Sequence, residues 1–205
     1  MKKLTWFAGF LFFVFTQSAV AQETPRVEIF GGYSYLRVTT DDNLLGPNGA
    51  SGSLDSISAN GFMTSAAYNL TKRIGIVGEF SRHTKETNLQ NLIRQTGIPN
   101  LRVETRVNTF LFGPRFTLRT DSIEPFAHFL VGGAQGSFDI SGLGVSSSDS
   151  GTAFTFAAGG GVDIKFSPKI VVRLVQADYL RTTINGPDLD SGRISTGIVF
   201  RIGER

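Results

Sequence analysis

The sequence predicts an all-β chain, an eight-stranded antiparallel up-and-down transmembrane β-barrel preceded by a cleaved signal peptide. Three observations predict it. The composition is rich in glycine (24) and phenylalanine (18) and only 18% charged, below the roughly one quarter usual in soluble domains. The N-terminus reads as an export signal. The remainder alternates apolar with small or polar residues at period two, in eight segments whose connections are alternately short and long.

The export signal has three parts. Lys2 and Lys3 form a positive start, Leu4 to Phe15 an apolar run, and Ala19-Val20-Ala21 a small-x-small cleavage pattern. The expected division is therefore 1–21 as signal peptide and 22–205 as one barrel domain. The apolar run is shorter than the roughly 20 residues of a spanning helix, and no second run of that length follows. A helical membrane protein is not expected. Without cysteine there can be neither disulfides nor thiolate metal sites. The formal charge of +3 falls to +1 once Lys2 and Lys3 are removed, which leaves no electrostatic case for a nucleic-acid partner.

The strands are expected at 27–39, 56–70, 73–83, 103–119, 123–138, 152–166, 169–183 and 192–202. Tight turns fall at Asn69–Arg73, Arg119–Ser122 and Phe166–Lys169, rich in residues whose backbone preferences suit turns. The long polar connections are 40–55, 84–102, 140–150 and 184–191. In a meander this order puts both termini and all short turns at one end. It is the pattern of outer-membrane barrels, which have short periplasmic turns and longer extracellular loops. The segments also reach the roughly 9–11 residues that a tilted spanning strand needs.

Parity assigns the faces. Phe110, Phe112 and Phe116 share one side of strand four, Phe154 and Phe156 one side of strand six, and Ile198 and Phe200 one side of strand eight. These residues are expected to face lipid. The opposite parity collects Glu79, Arg115, Asp163, Lys165 and Arg201. An arginine or lysine at mid-depth in lipid costs about 2–4 kcal/mol, so charge belongs inside. A narrow barrel is filled by side chains, where unpaired charge is costly. Glu28, Glu79, Arg115, His128, Asp163, Lys165 and Arg201 are therefore expected to form a polar lumen network. Tyr33, Tyr35 and Tyr179 are candidates for an interfacial aromatic girdle.

Two features disturb the scheme. Pro114 lacks a ladder donor in mid-strand, which predicts a β-bulge there. In strand seven Arg173 has one parity and Gln176 and Asp178 the other, which predicts a second bulge, with a snorkelling Arg173 as the alternative.

The segments VEIFGGYSYLR (27–37), FGPRFTL (112–118), PFAHFLVGGAQG (125–136), GGGVDIKFSPKI (159–170) and GIVFRIG (197–203) resemble the small outer-membrane β-barrel superfamily that includes the OmpA transmembrane domain and the opacity-type porins. The resemblance covers nearly the whole mature chain. It implies residence in the outer membrane, insertion by the outer-membrane assembly machinery, and contact with outer-membrane lipids and lipopolysaccharide. It also implies roles in envelope integrity, adhesion or slow solute leakage. Two departures stand out. Phe200 is followed by Arg201-Ile202-Gly203-Glu204-Arg205 where members often end in an aromatic residue, and no C-terminal peptidoglycan-binding domain is expected.

No catalytic, cofactor or metal site is expected. His128 falls on the lumen side without a motif that would set a triad. His83 is placed at the outer rim beside Arg82 and Lys85, either solvated or against lipopolysaccharide phosphates. Asp41-Asp42-Asn43 lacks the ligand spacing of a calcium loop, and Gly159-Gly160-Gly161 is followed by no helix that would complete a phosphate loop. A structural or surface-interaction role, with an extracellular ligand met by the long loops, comes first. A small pore is the alternative, and a lipid-modifying enzyme ranks below it. A soluble ligand-binding barrel is disfavoured by the outward phenylalanines.

Overall fold

The computed structural model describes residues 24–39, 57–88, 102–142, 145–183 and 188–204. The signal segment, Asp41-Asp42-Asn43 and most of the long connections lie outside them. Eight strands follow in order: β1 (Pro25–Thr39), β2 (Ile57–Asn69), β3 (Ile74–Asn88), β4 (Arg102–Thr117), β5 (Ile123–Gly142), β6 (Val145–Lys165), β7 (Ile170–Thr183) and β8 (Leu189–Glu204). Each pairs antiparallel with its neighbours, and β1 pairs with β8, so the sheet closes into a barrel. Closure gives every strand of the wall a neighbour on both sides, the condition for sheet in hydrocarbon.

Alternation explains why these residues make strands. From Phe62 to Asn69 even positions are exposed and odd positions buried, without exception. The short turns are tied by their own backbone. Leu70 N donates to Ile74 O at 2.9 Å, and Ser167 N donates to Ile170 O at 2.9 Å. Both described chain ends and all three short turns share one end of the barrel, here called the turn end.

The outer surface is apolar and aromatic. Phe62, Phe80 and Phe110 form a cross-strand row with centroid spacings of 5.9 and 4.8 Å. Phe129, Phe156 and Tyr179 form a second, at 6.0 and 6.4 Å. Such pairs are a main source of sheet stability. Inside lie two apolar clusters. Phe30, Met63, Val171 and Val199 form one, and Leu36, Val77, Leu111, Leu130 and Leu180 lead the other.

The bulge of strand seven is present. Leu174 and Val175 are both exposed, and the register shifts by one residue against both β6 and β8. The extra residue turns Arg173 inward together with Gln176 and Asp178, so Arg173 does not snorkel. The bulge expected at Pro114 is absent. Pro114 stands opposite Ile76, and the ladder to β5 skips Gly113 and Pro114, then resumes in the same register at Arg115–His128. Leaving two residues out of one ladder accommodates the missing N–H without an inserted residue.

The connection expected at 140–150 is also corrected. β5 and β6 continue pairing residue for residue up to Gly142–Val145. The Ser-rich segment is strand, held by its backbone ladder to β5. Likewise β3 runs to Asn88 and pairs with β4 as far as Arg102.

Candidate functional site

Three linked groups of charged side chains fill the barrel. At the turn end the carboxylates of Glu28 and Glu124 face four cations. Arg115 Nη2 donates to Glu28 Oε2, and Arg201 Nη2 to Glu124 Oε2. Arg119 Nη1 bridges both acids at 3.1 Å each. Arg201 Nε lies 3.2 Å from Glu28, and Lys165 Nζ lies 3.1 Å from Glu124. Five strands, β1, β4, β5, β6 and β8, and the β4–β5 turn deliver these groups, so the pairs cross the lumen.

The second group is the ion pair of Asp163 and Arg173, with Nε–Oδ1 at 2.8 Å and Nη2–Oδ2 at 3.1 Å. This two-point geometry suits guanidinium and carboxylate. Aromatic rings join it to the first group. The Arg115 guanidinium stands 5.1 Å from the Phe126 centroid, and Arg173 stands 4.3 Å from Phe126 and 4.4 Å from Phe30. Phe126 therefore lies between two arginines, each attracted by its π face.

The third group centres on Arg193, which is 1% exposed. It donates to Glu79 Oε1, to Asp178 Oδ2 at 3.0 and 2.7 Å, and to Ser81 Oγ at 3.3 Å. His128 Nε2 lies 2.8 Å from Asp178 Oδ1. Gln176 Nε2 donates to Asp178 at 2.8 Å and to Glu79 at 3.3 Å, and its Oε1 accepts from Arg173 at 2.7 Å. That amide connects the second and third groups.

One glycine makes the His128–Asp178 contact feasible. His128, Gly159 and Asp178 stand on one rung across β5, β6 and β7. A Cβ on Gly159 would lie 2.2 Å from Asp178 Oδ1 and 2.4 Å from Ala177 O. The histidine reaches the carboxylate over a residue that has no side chain.

Of the residues assigned to the lumen, Glu28, Arg115 and Arg201 meet in the first group, with Lys165 half-buried at its edge. Asp163 belongs to the second, and Glu79 and His128 to the third. Of those assigned outward, Phe110, Phe112, Phe116, Phe154, Ile198 and Phe200 are exposed on the outer surface, and Phe156 is half-covered by its aromatic neighbours. Tyr33 and Tyr179 are exposed and Tyr35 half-buried. Their hydroxyls donate to Asn60, Asp190 and Ser58.

The placement of His83 at a solvated rim is corrected. His83 is buried, and its Nε2 lies 2.9 Å from Ser34 Oγ. It shares the inward parity of Glu79 and Ser81, and β3 continues past it, so the wall carries it inside. Sequence reasoning missed Arg119, Glu124, Arg173, Asp178 and Arg193 as network members. The parity that Arg193 shares with Ser195 and Arg201 is the signal that could have found it. Arg119 lies in a turn, where parity has no meaning.

Among the described residues no group of three His, Asp or Glu is arranged to hold a metal ion. The closed, aromatic-coated barrel with an ion-paired interior defines a small transmembrane β-barrel of the outer-membrane kind. The model of the outer membrane protein beta-barrel domain family matches residues 7–201. The chain belongs to that family, and its place is the outer membrane.

Solved structures share the fold. Ail, the attachment invasion locus protein of Yersinia pestis, is 19% identical with a TM-score of 0.57, the match covering 86% of this chain and 99% of Ail. Neisserial surface protein A is 14% identical at 0.54, covering 86% and 97%. OprG of Pseudomonas aeruginosa is 13% identical at 0.50, covering 88% and 97%. No curated protein matches the chain.

Proposed function

We propose that this barrel is a surface-interaction protein whose extended β3–β6 sheet meets partners outside the cell. The turn end then faces the periplasm, as short turns do in this class of barrel, and the long-connection end faces outward. The outer aromatic rows meet lipid, and lipopolysaccharide surrounds the outward end. The leader 1–21 directs export, and the assembly machinery inserts the mature chain.

The observation that carries this reading is the unequal height of the wall. β7 pairs with β6 only from Phe154–Thr183 downward, whereas β6 begins at Val145. Nine residues of β6, 145–153, have no described strand partner on that side. On the far side, β3 continues four residues past its last pairing with β2 at Asn60–Thr84. β5 and β6 therefore project beyond the described end of β7, and among the described residues the β6 edge has no strand partner there. Unpaired edge groups accept an added strand from another chain. A segment of nine residues supplies about 30 Å of ladder. Ail has been solved in complex with the heparin analogue sucrose octasulfate. That pairing makes a sulfated polysaccharide an alternative outcome to test beside an extended peptide.

The pore alternative is weakened by the interior. Ion pairs that reach across the lumen must break before a solute can pass. An enzymatic role gains little from His128, which is enclosed and already bonded to Asp178.

The test replaces residues 138–149 by Asn-Gly, a two-residue turn that joins the paired Ser137 and Ser150. The shortened barrel is expected to keep its heat-dependent gel mobility while cells displaying it lose adherence to immobilised matrix proteins and heparin. Unchanged adherence to both surfaces would remove the projecting sheet from the function. Steady single-channel conductance of the intact protein would put the pore first.

A further inference from the structure

At the turn end a recess of about 390 Å³ opens between the start of β1, the β6–β7 turn and the end of β8. Its polar lining is Lys165, Lys169, Arg201 and Ser167, and Phe166 and Pro168 form its apolar side. Among the described residues none of the side chains lining it is a carboxylate. We propose that this recess binds a phosphodiester, the headgroup phosphate of a phospholipid in the inner leaflet of the outer membrane.

Four observations support it. The first is charge balance. The adjoining cluster sets Arg115, Arg119, Lys165 and Arg201 against only Glu28 and Glu124. Lys169 stands beside Arg201, since Arg201 N donates to Lys169 O at 2.9 Å, and adds a further cation. The second is donor surplus. Arg119 Nη2, in the adjoining cluster, is buried without a hydrogen-bond partner, although its side chain is only 6% exposed. A cationic group with unused donors is a costly thing to bury, and an anion relieves that cost.

The third is the serine. Ser167 Oγ accepts from Ile170 N at 3.0 Å, which leaves its hydroxyl proton free to donate. The fourth is Phe166, 81% exposed at the tip of the turn. A large aromatic left in water beside a cationic recess suits a ligand with a charged head and an apolar body. A free phosphate would make no use of it. Lys165 Nζ, held by Thr120 O at 2.7 Å, reaches the recess from its floor.

The lipid source rests on the orientation proposed above, which puts the turn end at the phospholipid leaflet. The binding itself is tested in detergent, where orientation has no influence, and protease access to the turns in intact cells tests the orientation separately. Native mass spectrometry of the refolded mature protein in a maltoside detergent is run with phosphatidylglycerol, with diacylglycerol and with inorganic phosphate. One phosphatidylglycerol is expected to be retained, and diacylglycerol is not. Lys169→Gln and Lys165→Gln are each expected to weaken retention about five- to tenfold, as loss of one charge-assisted contact does. Lys85→Gln, near the opposite rim, is expected to leave it unchanged. Heat-dependent gel mobility verifies that each variant is folded. Equal retention of diacylglycerol, or folded lysine variants that bind as wild type does, would overturn the site. Inorganic phosphate bound as tightly as the lipid would overturn the lipid assignment in favour of a free anion.

Discussion

In the middle of the barrel one arginine is surrounded by acids, whereas at the turn end two acids are surrounded by cations. Arg193 alone supplies the guanidinium shared by Glu79 and Asp178, and Ser81 takes one of its remaining donors. Glu28 is shared by Arg115, Arg119 and Arg201, and Glu124 by Arg119, Arg201 and Lys165. Both clusters use the same residue types at similar burial. They differ in redundancy. Removing a buried ion's only strong partner leaves uncompensated charge, which is far more costly than the pair's net worth. The middle cluster is exposed to that failure through a single residue. The turn-end cluster is not.

Arg193→Met is therefore expected to be the most damaging of the lumen substitutions. Methionine keeps the volume and removes the charge, leaving Glu79 and Asp178 facing one another across the lumen. The expected loss is about 3–5 kcal/mol, read as the shift in urea midpoint of the folded band in lipid vesicles. A loss below about 1 kcal/mol would show that Gln176 and His128 suffice to hold the two acids, ending the distinction between the clusters.

Gly159→Ala sharpens the same side of the comparison without touching a charge. The added methyl collides with a backbone carbonyl as well as with the Asp178 carboxylate, so side-chain rotation alone cannot relieve it. Overpacking of this kind costs about 1–3 kcal/mol. The specific signature is the His128 ring, whose nitrogen resonances are expected to move as its 2.8 Å contact with Asp178 opens. Destabilisation with unmoved resonances would place the strain elsewhere in the wall.

How much of this was legible in the sequence follows from what period two encodes. It tells which face a residue takes, and so Phe110, Phe112, Arg115, Asp163 and Arg201 could be sorted before any coordinates. The conflict of parity between Arg173 and Gln176 even exposed the bulge at Leu174–Val175. Period two does not tell height. Which inward residues meet across the lumen depends on the stagger between strands, so the meeting of Glu79 with Arg193, 114 residues apart in sequence, had no local signal. Alternation also vanishes where both faces of a sheet are polar. The Ser-rich segment of β6 beyond the rim therefore read as a loop, although it pairs residue for residue with β5. His83 was misplaced for a related reason, because strand three was ended too early at the residue itself.

The turn-end side of the comparison gives the smallest expected effect. Arg115 is only 4% exposed and makes a direct pair with Glu28, so by burial alone it looks as sensitive as Arg193. Its surroundings argue otherwise. When Arg115→Met removes the charge, Glu28 keeps Arg119 at 3.1 Å and Arg201 at 3.2 Å, and four cations on two acids become three. What is lost is one contact of three, the weak bond to Thr117 at 3.1 Å, and the interaction with Phe126. What is gained is relief of repulsion among crowded guanidiniums. The net loss is expected to be about 1 kcal/mol, a fraction of that for Arg193→Met, measured by the same urea titration. Equal losses for the two variants would mean that burial alone decides and that redundancy of partners counts for nothing inside this barrel.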